Sequence, residues 1–338
     1  MDVRYSRQIL FSPIGREGQD RLKEKHVLLI GAGALGTSNA EIMVRAGVGK
    51  VTIADRDYVE WSNLQRQQLY TEEDAAHEIP KAVAAKKRLE SINGEVAINA
   101  EILDVTPVEM ARLIDGVDLI IDATDNFDIR MIINDTAQKY GVPWIYGAIV
   151  GSYGLSYTVI PEETPCLHCL MKRIPMDGAT CDTAGVISPI VQLIVAHQSA
   201  EALKILTGNH GALRKQLISY DIWSNQQSAI DVGALKEDSC PSCGQAPTYP
   251  FLDYESQTKT AVLCGRDTVQ IRPASREKRD LQKVASKLSQ TAEVRHNEFL
   301  LSFKKDPYRF VMFQDGRVLV HGTNDAQHAK TLYHRYLG

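Results

Sequence analysis

The sequence predicts an α/β fold: a Rossmann-like, doubly wound, mostly parallel sheet with a zinc-binding subregion, and a small C-terminal α+β domain. Three observations carry this. Residues 26–44, HVLLIGAGALGTSNAEIMV, run from a buried-strand pattern through a glycine loop into a helical pattern. Further apolar runs end in carboxylates, Asp55 and Asp122, as strands do at the ligand-binding edge of such a sheet. Two CxxC pairs, Cys166/Cys169 and Cys240/Cys243, offer four thiolates to one tetrahedral metal.

The 338 residues suffice for two domains, and the pattern changes near Pro250. The expected division is 1–250, a nucleotide-binding domain with the metal site, and 251–338. A net charge of −4 gives no basic footprint, so nucleic acid is not an expected partner. The longest apolar stretch, residues 186–196, contains Pro189 and is too short to span a membrane. The start, MDVRYSRQILF, has no signal-peptide pattern, so a cytoplasmic protein is expected. In that compartment four cysteines in CxxC pairs read as metal ligands before disulfides.

Taken in order, residues 1–25 read as an arm and a solvated helix. In the loop at 31–36, Gly31 permits a tight turn, Gly33 lets the backbone approach a pyrophosphate, and Gly36 lets helix and strand pack closely. The new helix then presents free N–H groups and a positive dipole end to the anion. Residues 50–54 form the second strand, and Asp55 stands where a carboxylate usually accepts bonds from a ribose. These features leave an NAD-dependent oxidoreductase open as well as other nucleotide enzymes.

The next stretch is unlike a dehydrogenase. It packs Asp57, Asn63, Gln65, Arg66 and Gln67 into a polar loop, and then starts a helix at Pro80, a residue suited to a first turn. Lys81 at that helix start opposes the macrodipole, a cost that a bound phosphate would offset, so Lys81 and Arg66 are candidate triphosphate ligands. Residues 95–103 and 117–122 continue the sheet. Asp122 and Asp125, beside a triphosphate, make sense mainly as magnesium ligands. Residues 144–149 and 155–160 read as strands. Cys181 stands in GATCDTAGVISP, outside either CxxC, as a loop thiol that is either a nucleophile or a small buried residue. A helix starts near Ser188, and strands follow at 218–222 and 227–231. Beyond residue 250, alternating strand and helix patterns ending in a helix at 325–336 make a small α+β domain with no catalytic constellation.

Together these pieces resemble the ubiquitin-activating-like adenylyltransferases of thiamine and molybdopterin biosynthesis, the ThiF/MoeB/HesA family. RYSRQIL, GAGALG, ADRDYVEWSNLQRQ, PK, ATDN, CLHC, TCDTAGVISP and CPSCG occur in family order over about residues 1–245. The resemblance implies that Gly31, Gly33, Gly36 and Asp55 hold the adenosine part of ATP, that Asn63, Arg66 and Lys81 handle the phosphates, and that Asp125 binds Mg2+. It implies that Arg7 reaches into the other active site of a homodimer, and that Cys166, Cys169, Cys240 and Cys243 bind structural Zn2+. The implied partner is a small ubiquitin-like sulfur carrier ending in Gly-Gly, whose carboxylate attacks the α-phosphate of ATP. Cys181 sits where thiamine-type members carry a cysteine that joins covalently to the carrier; molybdopterin-type members can have it without needing it. Residues 251–338 do not resemble the rhodanese domain that some relatives append, and Cys264 lacks the anion-cradling loop of one. A non-catalytic scaffold for a ubiquitin-like partner is the remaining alternative, against which the cationic set Arg7, Arg66 and Lys81 argues.

Overall fold

The computed structural model describes residues 3–172, 184–253, 260–262, 267–272, 279–290 and 292–337. The chain divides into two compact units, Met1–Tyr254 and Glu255–Gly338.

The first unit is built on an eight-stranded sheet. Its strands are β1 (His26–Ile30), β2 (Lys50–Asp55), β3 (Ala97–Ile102), β4 (Leu119–Asp122), β5 (Trp144–Val150), β6 (Tyr153–Val159), β7 (Gln216–Asp221) and β8 (Gln226–Asp231). Their order is β3-β2-β1-β4-β5-β6-β7-β8. From β3 to β5 every pairing is parallel; β6, β7 and β8 are added antiparallel. The reversal at β1, between β2 and β4, is the switch point at which open α/β sheets bind ligands. β1 and β4 are buried throughout, as central strands covered on both faces must be. β8, at the sheet edge, is exposed along its whole length.

Two apolar cores flank the sheet, one around Trp144, Tyr157 and Met110, the other around Leu29, Met43 and Leu89. The helices are α1 (Ser6–Ile9), α2 (Gly15–Leu22), α3 (Ala34–Ala46), α4 (Glu72–Ala76), α5 (Lys81–Ile92), α6 (Pro107–Leu113), α7 (Phe127–Tyr140), α8 (Leu167–Met171) and α9 (Ser188–Leu206). Two expectations change. The helix at 15–22 is not simply solvated, since Gly18, Gln19 and Leu22 are buried. Pro80 is the cap before α5, and Lys81 is the first helical residue.

The second unit is a six-stranded antiparallel sheet with helices Leu281–Leu288 and Ala326–Leu337. Phe303 and Phe310 stack at 4.7 Å in its core, with Val269, Met312 and Leu332 around them. The short strand Val294–His296 carries two exposed residues of three, too little alternation to be read from sequence.

Candidate functional site

The site starts where β1 ends. Gly31 has φ +100°, and a Cβ there would lie 2.5 Å from the carbonyl oxygen of Ala123, so only glycine fits. A Cβ on Gly36 would overlap the carbonyl of Gly31; this is the close approach of helix to loop that the sequence implied. Gly33 is different. Its φ of −79° suits any residue, and a Cβ would meet nothing nearer than Gln67 Nε2 at 3.9 Å. The absence of a side chain keeps a space open rather than relieving a clash. No side chain caps α3, which leaves its first-turn N–H groups for a ligand.

The polar loop wraps this cradle. Asp55 Oδ2 accepts the Ala32 N–H at 2.6 Å and Oδ1 accepts the Asp57 N–H at 2.7 Å. The expected ribose acceptor thus also holds the glycine loop in shape. Burial raises the Asp55 carboxyl above its ordinary range, and the Lys81 charge opposes that. The Tyr70 hydroxyl lies 2.6 Å from the Ala32 carbonyl and 3.2 Å from that of Lys81, tying the cradle to the start of α5. Lys81 is almost fully buried, with Nζ 3.5 Å from Asp57 Oδ2. Arg56 reaches Asp104 Oδ1 at 3.2 Å, stapling the ends of β2 and β3. Asn63 is buried, and its Oδ1 accepts the Glu60 N–H at 3.1 Å, shaping the turn that presents Arg66. Arg66 Nη1 donates to the Ser62 carbonyl at 2.8 Å.

At the end of β4 the two aspartates part company. Asp122 is fully buried, and burial lifts its carboxyl to about 6 against the pull of Arg130. Its Oδ2 accepts from Arg130 Nε at 3.1 Å and its Oδ1 from the Thr124 N–H at 3.0 Å. Asp122 is therefore committed inside the protein and is not a magnesium ligand, contrary to expectation. Arg130 also donates to the carbonyls of Thr124 and Gly147, at 2.6 and 3.2 Å. Gln198 on α9 donates to the Asp122 carbonyl at 2.9 Å and accepts from Asn39 on α3 at 2.8 Å. This network fixes the turn from which Asp125 projects into solvent. Arg130, Gln198, Asn39 and Arg56 were not anticipated from sequence.

The four CxxC cysteines do meet. Their Sγ atoms lie within 4.8 Å of one another, with Cys166–Cys240 at 3.7 Å, Cys169–Cys243 at 3.5 Å and Cys166–Cys169 at 3.9 Å. Four thiolates around a tetrahedral zinc, each at about 2.3 Å, stand about 3.8 Å apart, so the cluster fits that ion. Helix α7 anchors both knuckles. Asn134 Oδ1 accepts the Leu167 N–H at 2.8 Å, and Asp135 Oδ2 accepts the Phe251 N–H at 2.9 Å. Such outer contacts orient ligands before the metal arrives.

An uncapped helix start beside an open glycine position, a polar loop with lysine and arginine, an exposed aspartate and a four-cysteine cluster thus belong to one unit. The ThiF family model matches residues 5–242. The chain belongs to the ThiF family. It is 54% identical over 339 residues, 100% of both chains, to the sulfur carrier protein ThiS adenylyltransferase of Bacillus subtilis. It is 33% identical over 244 residues, 72% of this chain and 96% of the relative, to the molybdopterin-synthase adenylyltransferase of Escherichia coli. The crystal structure of Escherichia coli MccB with MccA-N7isoASN superposes with a TM-score of 0.64 at 21% identity, covering 72% of this chain and 76% of that one, a likeness of fold.

Within this ThiF-family chain the cradle, Asp55, Asn63, Arg66, Lys81 and Asp125 all belong to the first unit. Arg7 is exposed on α1, beside Leu10 and Phe11, which are 72% and 60% exposed. Cys181 and Cys264 lie outside the described residues. No described helix is long and apolar enough to cross a membrane.

Proposed function

We propose that this protein adenylylates the C-terminal glycine of a small ubiquitin-like sulfur carrier, and that the carrier is of the thiamine type. One observation carries the reading: an uncapped helix N-terminus beside an open glycine position, on a family member matched end to end by an enzyme named for ThiS. The molybdopterin-type relative matches 72% of this chain, against the whole of it for the thiamine-type one, which favours the thiamine carrier.

The chemistry follows from charge. The carrier's terminal carboxylate is ionised at neutral pH, so its attack on the α-phosphorus of ATP requires no general base. An O–P bond forms to the carboxylate, the bond from the α-phosphorus to the bridging oxygen breaks, and pyrophosphate leaves with that electron pair. The difficulty is repulsion between two anions. Arg66 and Lys81, with the N–H groups of α3, stabilise charge on the phosphates where it grows. In this reading Gly31, Gly33 and Gly36 shape the cradle, Asp55 binds the ribose, and Asn63 sets the Arg66 turn and contacts the phosphates.

Asp125, exposed to solvent, is the carboxylate suited to Mg2+, which when bound would screen the triphosphate. Zn2+ at Cys166, Cys169, Cys240 and Cys243 would be structural, since all four positions are thiolates and none is left open. The exposed arm of Arg7, Leu10 and Phe11 supports a homodimer in which Arg7 of one copy enters the neighbouring site. In this reading the reaction takes place in the cytoplasm. Carrier-dependent exchange of labelled pyrophosphate into ATP tests the proposal; no exchange with any Gly-Gly carrier would refute it.

A further inference from the structure

Cys166 and Cys240 stand 74 residues apart in the chain, and each cysteine pair is a turn closed on itself. The Leu170 N–H donates to the Cys166 carbonyl at 3.2 Å, and the Gly244 N–H to the Cys240 carbonyl at 2.9 Å. A Cβ on Gly244 would lie 2.5 Å from the Cys240 carbonyl oxygen, so only glycine fits the second turn. What neither turn fixes is the position of the other. Four thiolates around one ion need that position set to within about 0.2 Å.

The residues between the cysteines supply it. His168 lies inside the first pair and Ser242 inside the second, and His168 Nδ1 is 3.1 Å from Ser242 Oγ. Ser242 is fully buried, and its hydroxyl also bonds the carboxylate of Asp135 on α7, which is fully buried too. That carboxylate accepts the Phe251 N–H at 2.9 Å on one oxygen and Asn134 Nδ2 at 3.3 Å on the other. An ionised carboxylate only accepts, so the Ser242 hydroxyl donates to it, and the Ser242 oxygen is left to accept the N–H at His168 Nδ1. The bonds therefore run in one direction, from the first knuckle through the second to α7. The circuit closes on both sides: Asn134 accepts the Leu167 N–H at 2.8 Å, and the Phe251 ring stands edge-on to His168 at 6.0 Å. A buried hydroxyl and a buried carboxylate cost free energy unless each is paired. Here they are paired with partners up to 116 residues away, which ties separate parts of the chain together.

We infer that Ser242, between His168 and Asp135, is a positioning residue that clasps the two knuckles independently of the metal, so that the four thiols form a ready-made zinc site. The inference rests on the zinc reading of the cluster and on no part of the adenylylation chemistry. Two experiments on the full chain test it. In the first, competition with a chromophoric chelator gives the zinc affinity of the parent, of Ser242→Ala, of His168→Phe, which keeps a ring against Phe251, and of the double variant. Each single change lowers affinity roughly ten- to a hundredfold, the scale of losing an outer contact to a metal ligand. The double variant loses about as much as Ser242→Ala alone, because the two residues form one link. Affinities within about twofold of the parent, or losses that multiply in the double variant, would overturn the inference. In the second, the parent is stripped of zinc by the chelator and treated with an alkylating reagent, and the modified cysteines are mapped by peptide mass. Cys166, Cys169 and Cys240 should react at least about tenfold more slowly than in the same protein unfolded in denaturant, and Ser242→Ala should remove much of that protection. Equal rates in the stripped and the unfolded parent would overturn the clasp, and this comparison decides even where a variant fails to fold. A parent that neither contains nor takes up zinc would refute the zinc reading and the inference with it; bound zinc that ignores Ser242 refutes the clasp alone.

Discussion

Lys81 Nζ lies 3.5 Å from Asp57 Oδ2, with the two side chains only 4% and 17% exposed. The lysine opens α5, where a positive charge opposes the helix dipole, so Asp57 supplies the compensation that a phosphate shares once ATP is bound. Lys81→Met therefore leaves a buried carboxylate without this partner and a phosphate without a cation. Exchange of pyrophosphate should fall about a hundredfold or more, the scale of removing one preorganised charge-stabilising group. Initial rates of carrier-dependent exchange at saturating ATP measure it.

Gly33 and Gly36 look alike in the sequence and differ in the structure. A methyl group on Gly36 collides with the Gly31 carbonyl, whereas one on Gly33 reaches only Gln67 Nε2, at 3.9 Å. Gly36→Ala should lower the melting temperature by several degrees, while Gly33→Ala should melt as the parent does and bind ATP at least tenfold more weakly. Thermal melts beside ATP titrations separate the two roles.

This contrast also shows what was legible in the sequence. Gly31, Gly33 and Gly36 and the CxxC pairs reveal themselves because local spacing constrains what they can do. Arg130 could not be read this way: its partners Asp122 and Gly147 stand 8 and 17 residues away, and Gln198 lies 76 from the Asp122 carbonyl it holds. Asp122 and Asp125 looked equivalent, since nothing in ATDN tells which carboxylate turns inward to meet an arginine. The swap of α2 from solvated to half-buried has the same origin, because Gln19 is polar in sequence but bonds the Ala46 carbonyl at 3.0 Å.

Asp122 gives a pH dependence. Burial raises its carboxyl to about 6 in the folded protein, against about 4 when unfolded. The folded state then holds a proton that the unfolded state has lost, so this contribution to stability is present below about pH 4 and disappears as the pH rises through 6. Its size is on the order of 2–3 kcal/mol, at 1.36 kcal/mol per unit. Asp122→Asn, neutral at every pH, should lack this decline, while Arg130 keeps its bonds to the Thr124 and Gly147 carbonyls. Denaturant melts of both proteins between pH 4 and 7 compare the slopes; equal slopes would contradict the assignment.

The cysteine cluster predicts one zinc per chain. Cys240→Ser with Cys243→Ser should bring zinc content close to zero and lower the melting temperature, because the knuckles at 166–169 and 240–243 then keep only hydrogen bonds such as His168–Ser242 at 3.1 Å in place of the metal. Metal analysis of the purified proteins reads this directly; undiminished zinc in the double variant would rule out the shared site.

Cys181 is tested by Cys181→Ser. If the cysteine joins covalently to the carrier, the variant keeps pyrophosphate exchange and loses the thiol-sensitive adduct and sulfur transfer; normal transfer would remove that role.

The most direct test of the central claim is the mass of the carrier after incubation with ATP and this protein, parent or Arg66→Ala. The account predicts a carrier heavier by one adenylate with the parent and an unmodified carrier with Arg66→Ala. An unmodified carrier with the parent, or full modification with Arg66→Ala, would contradict it.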